Sequence, residues 1–89
     1  MKYEWDEVKA ADNWRKHGVA FAAAQDFDWT TAFVVTDDRR DYGETRWQAI
    51  GMVGKYLYAM AFAIRGENIR VISLRKASQK ERKLYDEQK

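Results

Sequence analysis

The chain has 89 residues, no cysteine and no proline; 34% of its side chains are charged and 46% are hydrophobic. This length fits one domain over residues 1–89, and the lack of cysteine excludes a disulfide framework, a thiolate zinc site and a thiol nucleophile. The net charge is only +2, but residues 1–45 hold six Lys or Arg against ten Asp or Glu, whereas residues 46–89 hold ten against four.

The first third of the chain predicts a short strand and two helices. Residues 3–5 alternate as in a strand, and Asp6 is suited to cap the helix that follows. This helix is predicted over Glu7–His17, because it has basic residues in its last turn and Gly18 behind it, where glycine accepts a positive φ. The alanine-rich residues 20–26 predict a second, short helix.

Four strands are predicted next, over residues 33–36, 45–50, 56–64 and 69–74, because these segments are rich in β-branched and aromatic residues. Their short connections favour antiparallel neighbours, and Gly51 and Gly54 are expected to bracket a bend. Residues 56–64 are almost wholly apolar and are expected to form a central strand with a helix on one face; a buried helix is the alternative. In a regular last strand, Ser73 and Arg75 share one face and Arg70 lies on the other.

The end of the chain carries a capping-box pattern, with Ser78 at the N-cap and Glu81 three residues later, and it predicts a helix through about residue 87. The predicted order is therefore β-α-α-β-β-β-β-α. This order is an α+β fold in which two N-terminal helices and one C-terminal helix pack on a small antiparallel sheet.

Several kinds of chemistry have no residues to support them. One histidine without cysteine cannot supply a zinc set, the acids of residues 37–44 lack the spacing of a calcium loop, and residues 51–55 lack that of a phosphate-binding loop. Because these patterns are missing, no cofactor or metal is expected. No serine lies in a nucleophile context either. The longest apolar segment, 56–64, is far below the roughly 20 residues of a membrane helix. We therefore expect a cytosolic protein with no membrane partner.

Positive charge is concentrated in residues 65–83. The basic residues of this segment are Arg65, Arg70, Arg75, Lys76, Lys80, Arg82 and Lys83. One further arginine, Arg46, lies on an earlier predicted strand. Arginine can bind a phosphate through two parallel donors, and Trp47, Tyr56 and Tyr85 could stack on bases, so RNA is the favoured partner. Two alternatives remain open: the cations only solvate the fold, or they pair with the acids of the first half.

The single histidine, His17, shares one stripe of the first helix with Lys9 and Asn13, at i, i+4 and i+8. A histidine at the end of a helix is often only a favourable charge. Histidine is also the side chain best suited to proton transfer near neutral pH, so His17 is a candidate general acid or base.

Taken together, a set of short segments resembles the BrnT family, the toxins of type II toxin–antitoxin systems. The segments are YEWD at 3–6, KHGV at 16–19, GETRW at 43–47, IRVISLRKA at 69–77 and ERKLY at 81–85. The resemblance implies a RelE-like fold and a ribonuclease that inhibits translation. It also implies a BrnA-type antitoxin that neutralises the toxin in a hetero-oligomer.

The resemblance also assigns functional positions. Its motif positions are Lys16, His17, Arg46, Arg70, Arg75 and Tyr85. On this basis we expect His17, Arg46 and Arg75 to be catalytic in a metal-independent cleavage of RNA. The expected RNA contacts are Lys16, Arg70, Lys76, Lys80 and Tyr85. The rival interpretation is a non-catalytic module that binds RNA or protein through its basic C-terminal face, since a fold alone does not establish catalysis.

Overall fold

A computed structural model describes residues 2–88 of the chain. Its elements are β1 (Lys2–Glu4), α1 (Glu7–His17), a 3₁₀ helix (Phe21–Asp26), β2 (Phe33–Asp37), β3 (Arg46–Val53), β4 (Tyr56–Arg65), β5 (Asn68–Lys76) and α2 (Gln79–Glu87). The α+β class is confirmed. The second predicted helix is a 3₁₀ helix, so residues 2–88 contain two α-helices. None of the helices in this range is long and apolar enough to cross a lipid bilayer.

The five strands form one sheet in the order β1-β5-β4-β3-β2, with β4 at its centre as predicted. Strands β2 to β5 pair antiparallel, but β1 pairs parallel to β5, with Tyr3 opposite Ile69. The prediction of a wholly antiparallel sheet is therefore wrong at β1. Short turns dictate antiparallel pairing only between neighbours in sequence, and most of the chain separates these two strands.

Strand β3 continues to Val53, so Gly51 lies inside it and not at the edge of a bend. A Cβ atom on Gly51 would lie 2.6 Å from Cζ of Phe27 and 3.2 Å from Cβ of Ala32. Glycine is required here because the Phe27 ring packs directly on the strand backbone. Only Gly54 lies in the turn to β4, with a φ of +62°.

The two faces of the sheet are covered differently. Helix α1 and the 3₁₀ helix pack on the first face, which contributes Met60, Phe62 and Leu74 to the main core. Helix α2 packs on one end of the second face, where Tyr85 contacts Ile50 and Leu57. The remainder of the second face has no helix over it among residues 2–88.

A β-bulge in β5 decides which side chains reach the open face. Val71 lies opposite Phe62 and Ser73 lies opposite Ala61, so Ile72 is an extra residue. The regular alternation predicted for β5 is therefore wrong. Because the bulge resets the alternation, Arg70, Ser73 and Arg75 all lie on the face of β4 that carries Ala59, Ala61 and Ala63.

The edge of β5 beyond β1 is closed by a side chain. Asn13 is 5% exposed, and its Nδ2 donates to the carbonyl of Leu74 at 2.7 Å and to that of Val19 at 3.0 Å. Its Oδ1 accepts from the Leu74 amide at 3.1 Å. The amide of Asn13 thus replaces a neighbouring strand and joins α1 to the sheet.

The predicted capping signals are confirmed at both α-helices. Asp6 accepts from the Val8 amide at 3.0 Å, and Gly18 follows α1 with a φ of +66°. In α2, Ser78 and Glu81 form the reciprocal capping box. Glu81 also accepts two hydrogen bonds from Arg75, at 2.7 and 2.8 Å, so the end of β5 is clamped to the start of α2.

Replacing Asn13 with alanine should destabilise the chain strongly. The Asn13→Ala variant leaves the amide of Leu74 and the carbonyls of Leu74 and Val19 buried without this partner. We expect the free energy of unfolding to fall by about 3 kcal/mol, because each unmet buried group costs on the order of 1–3 kcal/mol. Urea unfolding measures the change, with the exposed Lys9→Ala variant of the same helix as control. Equal stability of the two variants would contradict the bridging role.

Acid should remove the contribution of the Arg75–Glu81 clamp. The hydrogen bonds from Arg75 lower the pKa of Glu81 from 4.5 to about 2. The clamp therefore contributes its full stability above pH 4.5 and loses it as the pH falls toward 2. Glu81→Gln should be less stable than the wild type at pH 6, and this difference should shrink as the pH is lowered toward 3, as followed by urea unfolding. Glu67→Gln is the control, and a difference that stays constant with pH would contradict the role of the pair.

Candidate functional site

The open face of the sheet carries three arginines that come from two strands. We call it the arginine face and define it by Arg46, Arg70 and Arg75. Arg46 and Arg70 flank Ala63 in one cross-strand row, and Arg75 lies opposite Ala59 near α2. Since neighbouring strands are about 4.8 Å apart, the Cα atoms of Arg46 and Arg70 are about 10 Å apart. The short alanine side chains leave a shallow floor between the long cations.

Each of these arginines has a carboxylate partner. Arg70 Nη1 donates to Glu4 Oε2 at 2.9 Å, and Arg46 Nε lies 4.0 Å from Glu44 Oε2. Arg75 is held by both carboxylate oxygens of Glu81. Glu4 belongs to the acidic first half of the chain and Arg70 to the basic second half, so the alternative that acids and bases pair across the fold is confirmed for this pair.

Arg46 is further enclosed by the loop that precedes β3. Its guanidinium carbon lies 4.2 Å from the centroid of the Tyr42 ring, in a cation–π arrangement. Its Nε is buried and has no hydrogen-bond partner within residues 2–88. Sequence reasoning treated this loop only as a polar connection, and an aromatic residue four positions before an arginine is too common to have identified the contact.

Asp37 organises the same loop. It accepts two hydrogen bonds from the Arg39 side chain at 2.8 Å, one from the Tyr42 hydroxyl at 3.3 Å and one from Gln48 at 3.5 Å. These bonds, above all those from Arg39, hold the pKa of Asp37 well below its usual range. Asp37 therefore fixes Tyr42, which in turn packs against Arg46.

The charge on Arg75 is stabilised by Glu81, in the first turn of the helix that follows β5. Hydrogen bonds to Glu81 raise the pKa of the Arg75 guanidinium, while the positive charge of Arg39 acts in the opposite direction. The sequence correctly predicted Arg75 as a cation near the end of its strand.

His17 and Lys16 lie elsewhere, beside the edge of β5 that Asn13 closes. They line a basic depression of about 240 Å³, whose lining residues are Lys9, Asp12, Asn13, Lys16, His17, Ile72 and Ser73. The predicted stripe of Lys9, Asn13 and His17 is confirmed. Within residues 2–88, His17 makes no hydrogen bond or ion pair with any arginine. Ser73 lines the depression and also points to the arginine face, so the two surfaces meet there.

The other predicted RNA contacts do not join these surfaces. Lys76 lies over the Tyr56 ring at 4.5 Å, and Lys80 lines a groove between α2 and β2. Tyr85 is only 7% exposed, and its hydroxyl donates to Thr31 at 3.3 Å. Its ring packs in the core and presents no open face for a base to stack on. The sequence pattern could not show this burial, because it depends on where α2 docks.

The residue types in these surfaces suit anion binding. Within residues 2–88, no three histidine, aspartate or glutamate side chains are grouped so that they could hold a metal ion. The arginine face and the depression around His17 together offer guanidinium, ammonium and imidazole donors. This combination can bind phosphate groups and exchange a proton beside them.

Comparison with known proteins identifies the family. No curated protein matches the chain significantly. A family model described as the ribonuclease toxin BrnT of type II toxin–antitoxin systems matches residues 5–81. The matched range contains α1, strands β2 to β5 and the start of α2, and therefore includes His17 and the three arginines, while Tyr85 lies beyond it. The chain thus belongs to the BrnT family of ribonuclease toxins of type II toxin–antitoxin systems.

Proposed function

We propose that this chain is a single-domain endoribonuclease with a RelE-like fold that cleaves RNA without a metal ion and so inhibits translation in the cytosol. A BrnA-type antitoxin neutralises it by forming a hetero-oligomer. The observation that carries the proposal is the convergence of Arg46, Arg70 and Arg75 on one open face, which adjoins the depression around His17 at Ser73. Family membership supplies the ribonuclease class.

The reaction is an attack of a ribose 2′-hydroxyl on the adjacent phosphate. The 2′-oxygen forms a bond to phosphorus, the bond from phosphorus to the 5′-oxygen breaks, and the 2′-proton is removed while the leaving oxygen gains one. Negative charge accumulates on the phosphate oxygens in the transition state, where fixed cations stabilise it most. His17 is the group that exchanges the protons, and the arginines stabilise the charge.

The spacing on the arginine face supports contacts of these cations with more than one phosphate. The side chains of Arg46 and Arg70 flank Ala63 in the same row, so both can reach a phosphate lying over Ala63. Arg75 lies two cross-strand rows further along, and Ser73 occupies the row between. A strand of RNA that crosses the face and passes Ser73 reaches the depression with Lys9, Lys16 and His17. Lys76 and Lys80 contribute to the field around this path and make no direct contact.

The carboxylate partners favour a second candidate function. Both terminal nitrogens of Arg75 are occupied by Glu81, and Arg70 is held by Glu4. A phosphate must share these donors or displace the acids. This arrangement also suits a module that binds RNA without cutting it, so the two candidates are separated by measuring cleavage and binding on the same variants.

Cleavage of a labelled single-stranded RNA in EDTA should depend on the residues of the site. We expect His17→Ala and Arg75→Ala each to lower the rate by about 100-fold, the scale typical of losing a proton-transfer group or a charge-stabilising donor. Arg75→Lys should restore little, because lysine lacks the paired donors. Lys55→Ala, in the turn between β3 and β4, is the matched loss of charge and should leave the rate unchanged.

The same measurements can overturn the proposal. Full activity of both His17→Ala and Arg75→Ala would remove these residues from the site, and a requirement for magnesium would contradict the metal-free step. The wild type could instead bind RNA without cleaving it, with binding weakened by the arginine substitutions. This result would establish the binding module. A 2′-deoxy nucleotide at the cut position that is still cleaved would contradict attack by the 2′-hydroxyl.

Expression in cells should stop protein synthesis. We expect induction of the wild type to arrest growth and the incorporation of labelled amino acids, and co-expression of a BrnA-type antitoxin to relieve both. The Arg75→Ala variant is the inactive control, and its abundance is checked by immunoblot. Unchanged translation on induction of the wild type would contradict the toxin function.

A further inference from the structure

The two edges of the sheet are protected to different degrees. At one edge, β1 has only three residues, and the Asn13 amide closes β5 beyond it. At the other edge, β2 spans Phe33–Asp37 and has no neighbour on its outer side within residues 2–88. Val34 and Val35 are 39% and 41% exposed. Neither proline nor lysine, the residues that commonly block an edge strand, occurs in β2.

Helix α2 forms a groove beside this edge. We call it the β2 groove and define it by Phe33, Val35, Ile50, Lys80 and Leu84, which line it. Leu84 is 38% exposed although it points toward the sheet. A second depression, lined by residues 30–34 with Tyr85 and Gln88, adjoins the groove at Phe33. An exposed strand edge with neighbouring pockets is the arrangement that binds an extended peptide as an added strand.

The charge of the groove indicates the chemistry of its occupant. Lys80 forms no ion pair within residues 2–88, whereas the neighbouring Glu81 is engaged by Arg75. Arg82 and Lys83 are exposed on the same helix. An occupant that places an apolar side chain against Leu84 and an acidic side chain against Lys80 would complement this surface.

We propose that the β2 edge is the docking site of an extended segment of the antitoxin, which adds a sixth strand to the sheet. The segment has apolar residues at alternate positions, which enter the β2 groove, and an acidic residue that pairs with Lys80. The choice of the antitoxin as partner rests on the proposed function. A second copy of this chain fits less well, because antiparallel pairing of two β2 strands would bring the cations of both α2 helices together.

The location of this strand also explains how it would inhibit the toxin. The last residue of β2, Asp37, lies in the same cross-strand row as Arg46, Ala63 and Arg70. A chain that leaves the added strand at this end and turns along this row crosses the arginine face. It would then cover the donors that RNA needs.

The test uses the full chain and a full-length BrnA-type antitoxin, both purified. Val35→Lys should raise the dissociation constant of the complex by at least about tenfold, since it places a cation at the centre of the added-strand interface. Leu84→Asp, which alters the groove and leaves β2 intact, should also weaken it. Val8→Lys is the matched control, because Val8 is an exposed valine on α1. Thermal unfolding checks that each variant is folded.

Hydrogen exchange provides a second readout that does not depend on the variants. The amides of β2 that point away from β3 should become protected in the complex. Separately, cleavage by Val35→Lys should persist in the presence of antitoxin. Unchanged exchange in a formed complex, or wild-type affinity of both variants, would overturn the proposal. If the free chain forms a dimer and Val35→Lys dissociates it, the occupant of the β2 edge is a second copy of this chain and not the antitoxin. A wild type that cleaves no RNA would contradict the ribonuclease proposal, while affinity and exchange would still decide the docking site.

Discussion

The docking of α1 on the sheet, and with it the position of the basic depression, depends on the side-chain amide of Asn13. Its three hydrogen bonds hold α1 along the part of the β5 edge that β1 does not reach, where a backbone amide and carbonyl would otherwise be left buried and unpaired. His17 is one helical turn further along α1 and is therefore brought to the same edge, beside Ser73. One buried polar residue thus completes the sheet and also sets the position of the basic depression. A hydrophobic residue of similar size could fill the space but could not satisfy the strand.

The β-bulge at Ile72 is the second constraint, because it decides what the open face contains. In a regular strand, Arg70 would point toward the main core beneath α1, where an arginine could not be accommodated without a partner. The extra residue turns Arg70 to the face that carries Ser73 and Arg75 while Val71 and Leu74 still reach the core. The bulge therefore lets the same strand place apolar side chains in the core and polar side chains on the arginine face. The alanines of β4 complete this arrangement, since larger side chains there would separate the arginines.

The features that could be predicted from the sequence are those that depend on residues close together in the chain. Asp6 and Gly18 mark the two ends of α1, and Ser78 with Glu81 marks the start of α2. Each of these signals acts on a residue two to four positions away in the chain, and all were predicted. The parallel pairing of β1 with β5 depends on residues more than 60 positions apart, and no local pattern encodes it. The site shows the same division. The arginines were selected from their residue type, but their shared face required the bulge and their acidic partners required the fold. The burial of Tyr85 likewise follows only from the docking of α2.

The carboxylates on the arginine face have consequences for binding. Glu4 and Glu81 hold the guanidinium groups of Arg70 and Arg75 in fixed positions, so little side-chain freedom is lost when a phosphate arrives. They also reduce the net charge of the face, which weakens its attraction for RNA at a distance. A strong ligand must therefore present anions at the spacing of these donors and exchange with the acids that hold them. RNA supplies such anions as phosphates, and a protein inhibitor can supply them as carboxylates. Substrate and inhibitor would then compete for the same guanidinium groups. Either ligand would have to bind Arg70 and Arg75 more strongly than Glu4 and Glu81 do.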